Sequence, residues 1–185
     1  MERIKFNQKE LEKQCLAYAK AYGSAYVAKA MEMIETQAHK YIEMFYSQAI
    51  FKSKSGGLSS IPKLYDRTGD LRDNSIKTSV LQVHGNIEGR IIISADKMKN
   101  YISGGHITPP YYVANRAWME GLHGNVCTSP GVMSPTPAKL LDTYIKGNSF
   151  NSAATAYAVK MANAGNYGLL NASSIKGFAP NIGSI

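Results

Sequence analysis

Residues 8 to 50 contain no proline and one glycine, Gly23, and they constrain this chain more than any other stretch. Leu11, Cys15, Tyr18, Tyr22, Tyr26, Ala30, Ile34, Ala38, Tyr41 and Phe45 recur at three- or four-residue steps, which is the spacing of one helix face. Lys9, Glu12, Lys13, Lys20, Glu32, Glu35, His39 and Glu43 fall largely off that stripe. Asn7 followed by Glu10 is a capping-box arrangement, able to satisfy the first free amides. A straight helix of this length spans roughly 65 Å at 1.5 Å per residue. A compact domain of 185 residues has a radius of gyration of only about 16 Å. The helix is therefore expected either to bend near Gly23-Ser24 or to project from the body and meet a neighbour.

The chain beyond residue 50 is organised differently. Lys52 to Lys63 is rich in serine and glycine and is expected as a connector. Ile76 to Val83 alternates like a strand, and Ile87 to Ser94 ends in a β-branched run. His84-Gly85-Asn86 stands between them as a turn, so a β-hairpin is predicted. Residues 95 to 136 are broken by Gly104-Gly105, Pro109-Pro110, Gly121, Gly124, Pro130 and Pro135. A segment so long and so broken is usually functional or ordered by a partner. Pro137 to Ile145 reads as a helix with proline in its first turn. Ser149 to Asn163 is a second, alanine-rich helix, and Asn166 to Ile185 reads as an arm. The predicted class is α+β: a long N-terminal helix on a small antiparallel sheet, with C-terminal helices and a flexible arm. The expected division is residues 1–146 as one domain, with 147–185 as a further helix and arm of the same domain or an appendage.

Apolar residues at 44% suffice for a real core. No run approaches the 18 apolar residues of a membrane span, and the first ten residues hold no apolar signal-peptide core, so synthesis and retention in a cytoplasm are expected. Two cysteines, Cys15 and Cys127, make no disulfide framework. A formal charge of +8 points to an anionic neighbour, nucleic acid or an acidic protein surface, or only to solubility. The basic residues are spread thinly and lack interleaved aromatics, which weakens a nucleic-acid-binding module.

The residues present support no particular chemistry. His106, His123 and Cys127 share the broken region, but their spacing matches no zinc signature. A Cys127–His123 nucleophile pair lacks any further support. No phosphate loop, dinucleotide fingerprint or serine-hydrolase elbow occurs. No catalytic, metal or cofactor residue is assigned, and no cofactor is expected.

The segment Asp66-Arg67-Thr68-Gly69-Asp70-Leu71-Arg72-Asp73 interleaves opposite charges, so it reads as a charge-paired turn instead of an acid–base dyad. Thr68 is suited to cap a short helix, Gly69 to an unusual backbone angle, and Leu71 to anchor the turn in the core. Thr68, Gly69 and Leu71 are thus predicted as a structural joint feeding the hairpin. Arg67-Thr68-Gly69-Asp70-Leu71-Arg72 followed by Ser75-Ile76 resembles the joint of the tail-completion, or neck, proteins of long-tailed bacteriophages. In that family the joint follows a long helix and precedes a strand pair. A Tyr-rich element ending in an acidic residue and glycine follows, which Tyr111-Tyr112 through Glu120-Gly121 resembles. A Pro-led helix comes next, matched by Ser134-Pro135-Thr136-Pro137-Ala138. The likeness runs in order over about residues 8 to 146, with the joint its one specific motif. Ser75 stands four residues after Leu71 where the family usually has three, and the chain past 147 extends beyond the pattern.

The resemblance implies a non-enzymatic virion protein forming a ring, a hexamer or dodecamer, between head connector and tail tube, with DNA passing nearby and no membrane. A head-completion or minor tail protein on a related fold is the alternative within the same class. Tyr111, Tyr112, Arg116 and Trp118 are the candidate interface, because large aromatics and arginine are enriched at interface centres; Trp118 filling the core of the single chain is the alternative.

Overall fold

A computed structural model describes residues 8–48, 51–52, 58–59, 70–103, 106–123 and 131–165; for 46–48, 51–52, 58–59, 101–103, 106–108, 123 and 131–132 it describes the backbone only. The fold is α+β and mostly helical, as the hydrophobic periodicity predicts. Helix α1, Gln8–Gln48, runs without interruption through Gly23 and Ser24. At 1.5 Å per residue its 41 residues extend about 61 Å. The expected capping residue Asn7 lies outside the described residues.

The buried stripe of α1 is Tyr18, Tyr22, Tyr26, Ala30, Ile34, Ala38, Ile42 and Phe45. Successive members stand four residues apart from Tyr18 to Ile42, so each step overshoots a turn by about 40°. Over those six steps the stripe winds through roughly 240° around the helix. No single neighbour can cover such a spiral, and different elements cover it at different levels. Along the first half lies α5, Asn148–Asn163, whose buried face is Phe150, Ala154, Ala158 and Ala162. Three alanines let the two helices approach closely, and two hydrogen bonds tie their register. The Tyr18 hydroxyl donates to Asn163 Oδ1 at 3.1 Å, and the Tyr26 hydroxyl donates to Asn151 Oδ1 at 2.8 Å. The helical part of 147–165 thus shares one core with α1.

Along the second half lie α4, Pro137–Ile145, the short α2, Asp70–Asn74, and the hairpin. Thr136 caps α4 by accepting from the Lys139 amide at 3.3 Å, and Pro137 occupies the first turn, where its missing N–H costs nothing. The hairpin is β3, Ile76–Val83, and β4, Asn86–Ile93, in unbroken antiparallel register. His84 and Gly85 form the two-residue loop, both at positive φ (48° and 84°), the backbone that matches strand twist. Asn86, expected in the turn, begins β4. A Cβ on Gly89 would come within 2.6 Å of Met31 Cε, which marks where the hairpin presses on α1.

The remaining ladders are short. Phe51–Lys52 (β1) pairs with Leu58–Ser59 (β2), inside what the sequence suggests is a plain connector. Tyr101–Ser103 (β5) pairs with His106–Thr108 (β6), and Leu122–His123 (β7) with Gly131–Val132 (β8). Between the last two ladders sits the helix α3, Pro110–Asn115, continuing into a π-helical turn, Arg116–Glu120. The broken region 95–136 is therefore built around a helix and short strand pairs instead of loop alone. Among the described residues, no helix is long and apolar enough to cross a membrane.

Candidate assembly interface

The joint is a core element in the part that is described. Leu71 is buried in the main cluster with Phe45 and Trp118. Thr68 and Gly69 lie outside the described residues. Arg72 forks onto its neighbour Asp73, Nε to Oδ1 at 2.6 Å and Nη2 to Oδ2 at 3.0 Å, and reaches Glu43 of α1 at 3.5 Å. That fork holds the exposed Asp73 carboxyl below its ordinary range and raises the Arg72 guanidinium above its own. Asp70 accepts from Asn74 Nδ2 at 3.2 Å and from the Lys99 amide at 3.3 Å. The described charged residues of the turn, Asp70, Arg72 and Asp73, are thus committed to neighbours.

Ser75, the last residue of that motif before the hairpin, is fully buried and carries more than the residue pattern suggests. Its hydroxyl donates to the Leu71 carbonyl and accepts from the Trp118 indole N–H at 2.8 Å. Its own carbonyl accepts from the Ser94 amide at 2.8 Å, closing the base of the hairpin. One small residue therefore links the joint, the hairpin and the π-helical turn, through its hydroxyl and its carbonyl. A tryptophan buried away from water needs a partner for its N–H, and no local spacing connects residue 118 to residue 75.

That bond corrects the expectation for Trp118. The tryptophan is 2% exposed in the single chain and belongs to the core, not to an interface. Ala114, Ala117 and Trp118 follow the i, i+3, i+4 pattern of a core face, and all three are buried. The π turn adds Arg116 to the buried set. Arg116 is also internally satisfied: Nε meets Glu120 Oε2 at 3.4 Å, Nη1 donates to the Tyr112 hydroxyl at 3.3 Å, and the guanidinium lies 5.3 Å from the Tyr112 ring centre. It braces Tyr112 and is not itself presented to a partner.

The outer side of this element keeps the interface character. Tyr111 is 62% exposed, Tyr112 49% and Met119 48%. Gly121 ends the turn in the left-handed region, φ 64°, and donates its N–H to the Arg116 carbonyl. A Cβ there would stand 2.2 Å from the Met133 carbonyl oxygen, while the Met133 amide donates to the Gly121 carbonyl at 2.8 Å. Only glycine fits, and the tie holds the Tyr-bearing element against α4. The Glu-Gly ending noted in the sequence thus has a backbone reason.

Among the described residues no group of three or more His, Cys, Asp or Glu is placed to hold a metal ion. Cys127 and the side chains of His106 and His123 lie outside them. No protein-family model, curated protein or solved structure matches the chain.

Proposed function

We propose that this chain is a structural subunit of a bacteriophage virion, placed in the neck, where copies form a ring that completes the tail end and joins it to the head connector. One observation carries the reading. In the described part of the motif that resembles the neck-protein joint, Leu71 and Ser75 are buried and Arg72 pairs with Asp73 and Glu43. The order long helix, joint, hairpin, Tyr-bearing element, Pro-led helix supports it, as does the exposed Tyr111–Tyr112–Met119 surface. The work of such a subunit is geometric: a rigid wedge, held by α1, presents the same surfaces to each neighbour around a closed ring. The +8 charge suits a wall near DNA.

Native mass spectrometry and negative-stain electron microscopy of the full chain test this. A closed ring of six or twelve copies that binds isolated phage tails or heads is the expected result. A protein that stays monomeric at every concentration and binds neither is not a neck subunit. DNA affinity falling steeply with salt, without any ring, would move the protein to the nucleic-acid-binding class.

A further inference from the structure

The β3 edge of the hairpin, unpaired among the described residues, has chemistry distinct from the candidate interface on α3. In β3–β4 the pairs Val83–Asn86, Leu81–Glu88, Ser79–Arg90 and Lys77–Ile92 face each other, and the Ser94 amide bonds the Ser75 carbonyl below them. Antiparallel bonding alternates, so the N–H and C=O of Thr78, Val80 and Gln82 point away from β4. Among the described residues nothing pairs with them. Val80 on one face is 47% exposed and Leu81 on the other is 38% exposed, so aliphatic surface flanks the open edge above and below. The strand has no proline, no bulge and one charge, Lys77, in eight residues. Prolines, bulges and charges are the devices by which edges are ordinarily protected from pairing.

We propose that this edge pairs with the same edge of a second copy, antiparallel about a two-fold axis, giving the four-stranded sheet β4–β3–β3–β4. Centred on Val80, the register sets Val80 opposite Val80 of the partner subunit and Thr78 opposite Gln82 of the partner subunit. Those positions carry the outward-pointing backbone groups, so the ladder closes. Ser79 then meets Leu81 of the partner subunit, and Lys77 meets Val83 of the partner subunit. No like charges are opposed; Val80 meets its own copy, Leu81 meets a serine, and the one charge, Lys77, lies at the end of the ladder. A nearly uncharged strand gives an acidic or basic foreign segment nothing to match, whereas its own copy matches it along its length. Two strands alone make a marginal sheet, and four make one that stands independently. The contact is separate from the ring reading, because a two-fold contact pairs copies and does not close a ring.

Amide hydrogen exchange on the full chain, read residue by residue from dilute to concentrated protein, tests the pairing. The Thr78, Val80 and Gln82 amides should gain at least tenfold protection as sedimentation equilibrium shows dimers forming, while the outward amides of Ile87 and Gly89 should not. Val80→Pro removes an outward donor without touching a β3–β4 bond, and Val80→Lys charges the edge. Either variant should weaken dimerisation at least tenfold with the circular dichroism spectrum unchanged. Should proline disrupt the hairpin, lysine alone decides. Free exchange of these three amides at concentrations where the chain self-associates, or a wild-type chain that never dimerises, overturns the proposal. A ring with those amides unprotected would retain the neck reading and discard this one; protected dimers without rings would do the reverse.

Discussion

Replacing Ser75 by alanine removes one oxygen from the middle of the molecule, and its cost is set by the groups that oxygen touches. The Trp118 indole N–H, in a side chain 2% exposed, loses its acceptor and has no water to turn to. Leaving a buried donor unmade costs about 1–3 kcal/mol. The hydroxyl's own donation to the Leu71 carbonyl is lost as well, worth about 0.5–1.5 kcal/mol net. Because the loss of both falls on one site, about 2–3 kcal/mol is expected in all. Trp118→Phe removes the donor together with part of the ring, so it should cost packing energy while leaving Ser75 still bonded to Leu71. In the double variant the orphaned donor no longer exists, and the two costs should fail to add by about 1–2 kcal/mol. Urea unfolding followed by far-ultraviolet circular dichroism, which does not depend on the lone tryptophan, measures all four corners of the cycle. Wild-type emission should also be blue and independent of concentration, as for a core indole. A Ser75→Ala variant within about 0.5 kcal/mol of wild type and a coupling near zero, each on the scale of ordinary surface substitutions, would refute the keystone role.

Leu71→Ala should destabilise the chain by about 2–5 kcal/mol, the range for core truncations; an unchanged denaturation midpoint would put the joint on the surface. Gly121→Ala meets the Met133 carbonyl and a left-handed backbone together, so a loss of at least about 2 kcal/mol is expected by thermal or urea unfolding. Burial raises the Tyr26 hydroxyl, with the neighbouring Tyr22 adding to the effect, and burial likewise raises Tyr144. A folded pKa above the unfolded value near 10 means the contribution is whole below that pH and is lost as pH rises through the folded value. Unfolding midpoints should therefore be level from neutral pH to about 9 and fall above about 10. Tyr26→Phe should flatten part of that fall, and a profile identical to wild type would assign the alkaline loss elsewhere.

Much of the fold was legible because its signals are local. The long helix and the alanine-rich helix announce themselves by composition and spacing, the Pro-led helix by its proline, and the hairpin by alternation around His84-Gly85. The joint was legible in the same way at Leu71, an apolar residue among charges. Trp118 was not. An aromatic beside glycine- and proline-rich segments has interface composition, while its actual partner is a serine 43 residues earlier. Only the Ala114, Ala117, Trp118 spacing hinted at a core face, and the π turn that brings Arg116 inward has no residue signature in this stretch.

By itself, then, the sequence determined the long helix, the two C-terminal helices and the main hairpin, because period and turn chemistry act over a few residues. The burial of Ile42 in place of Tyr41, which makes the stripe step by four and wind around α1, was decided by the packing. The tertiary structure alone decided which elements cover that stripe, and in which register: the Tyr18–Asn163 and Tyr26–Asn151 bonds bring together residues 145 and 125 positions apart. It alone placed Trp118 against Ser75 and left Tyr111 and Tyr112 outside. A buried polar group must find its partner wherever the packed chain brings one, and chain separation does not enter that requirement.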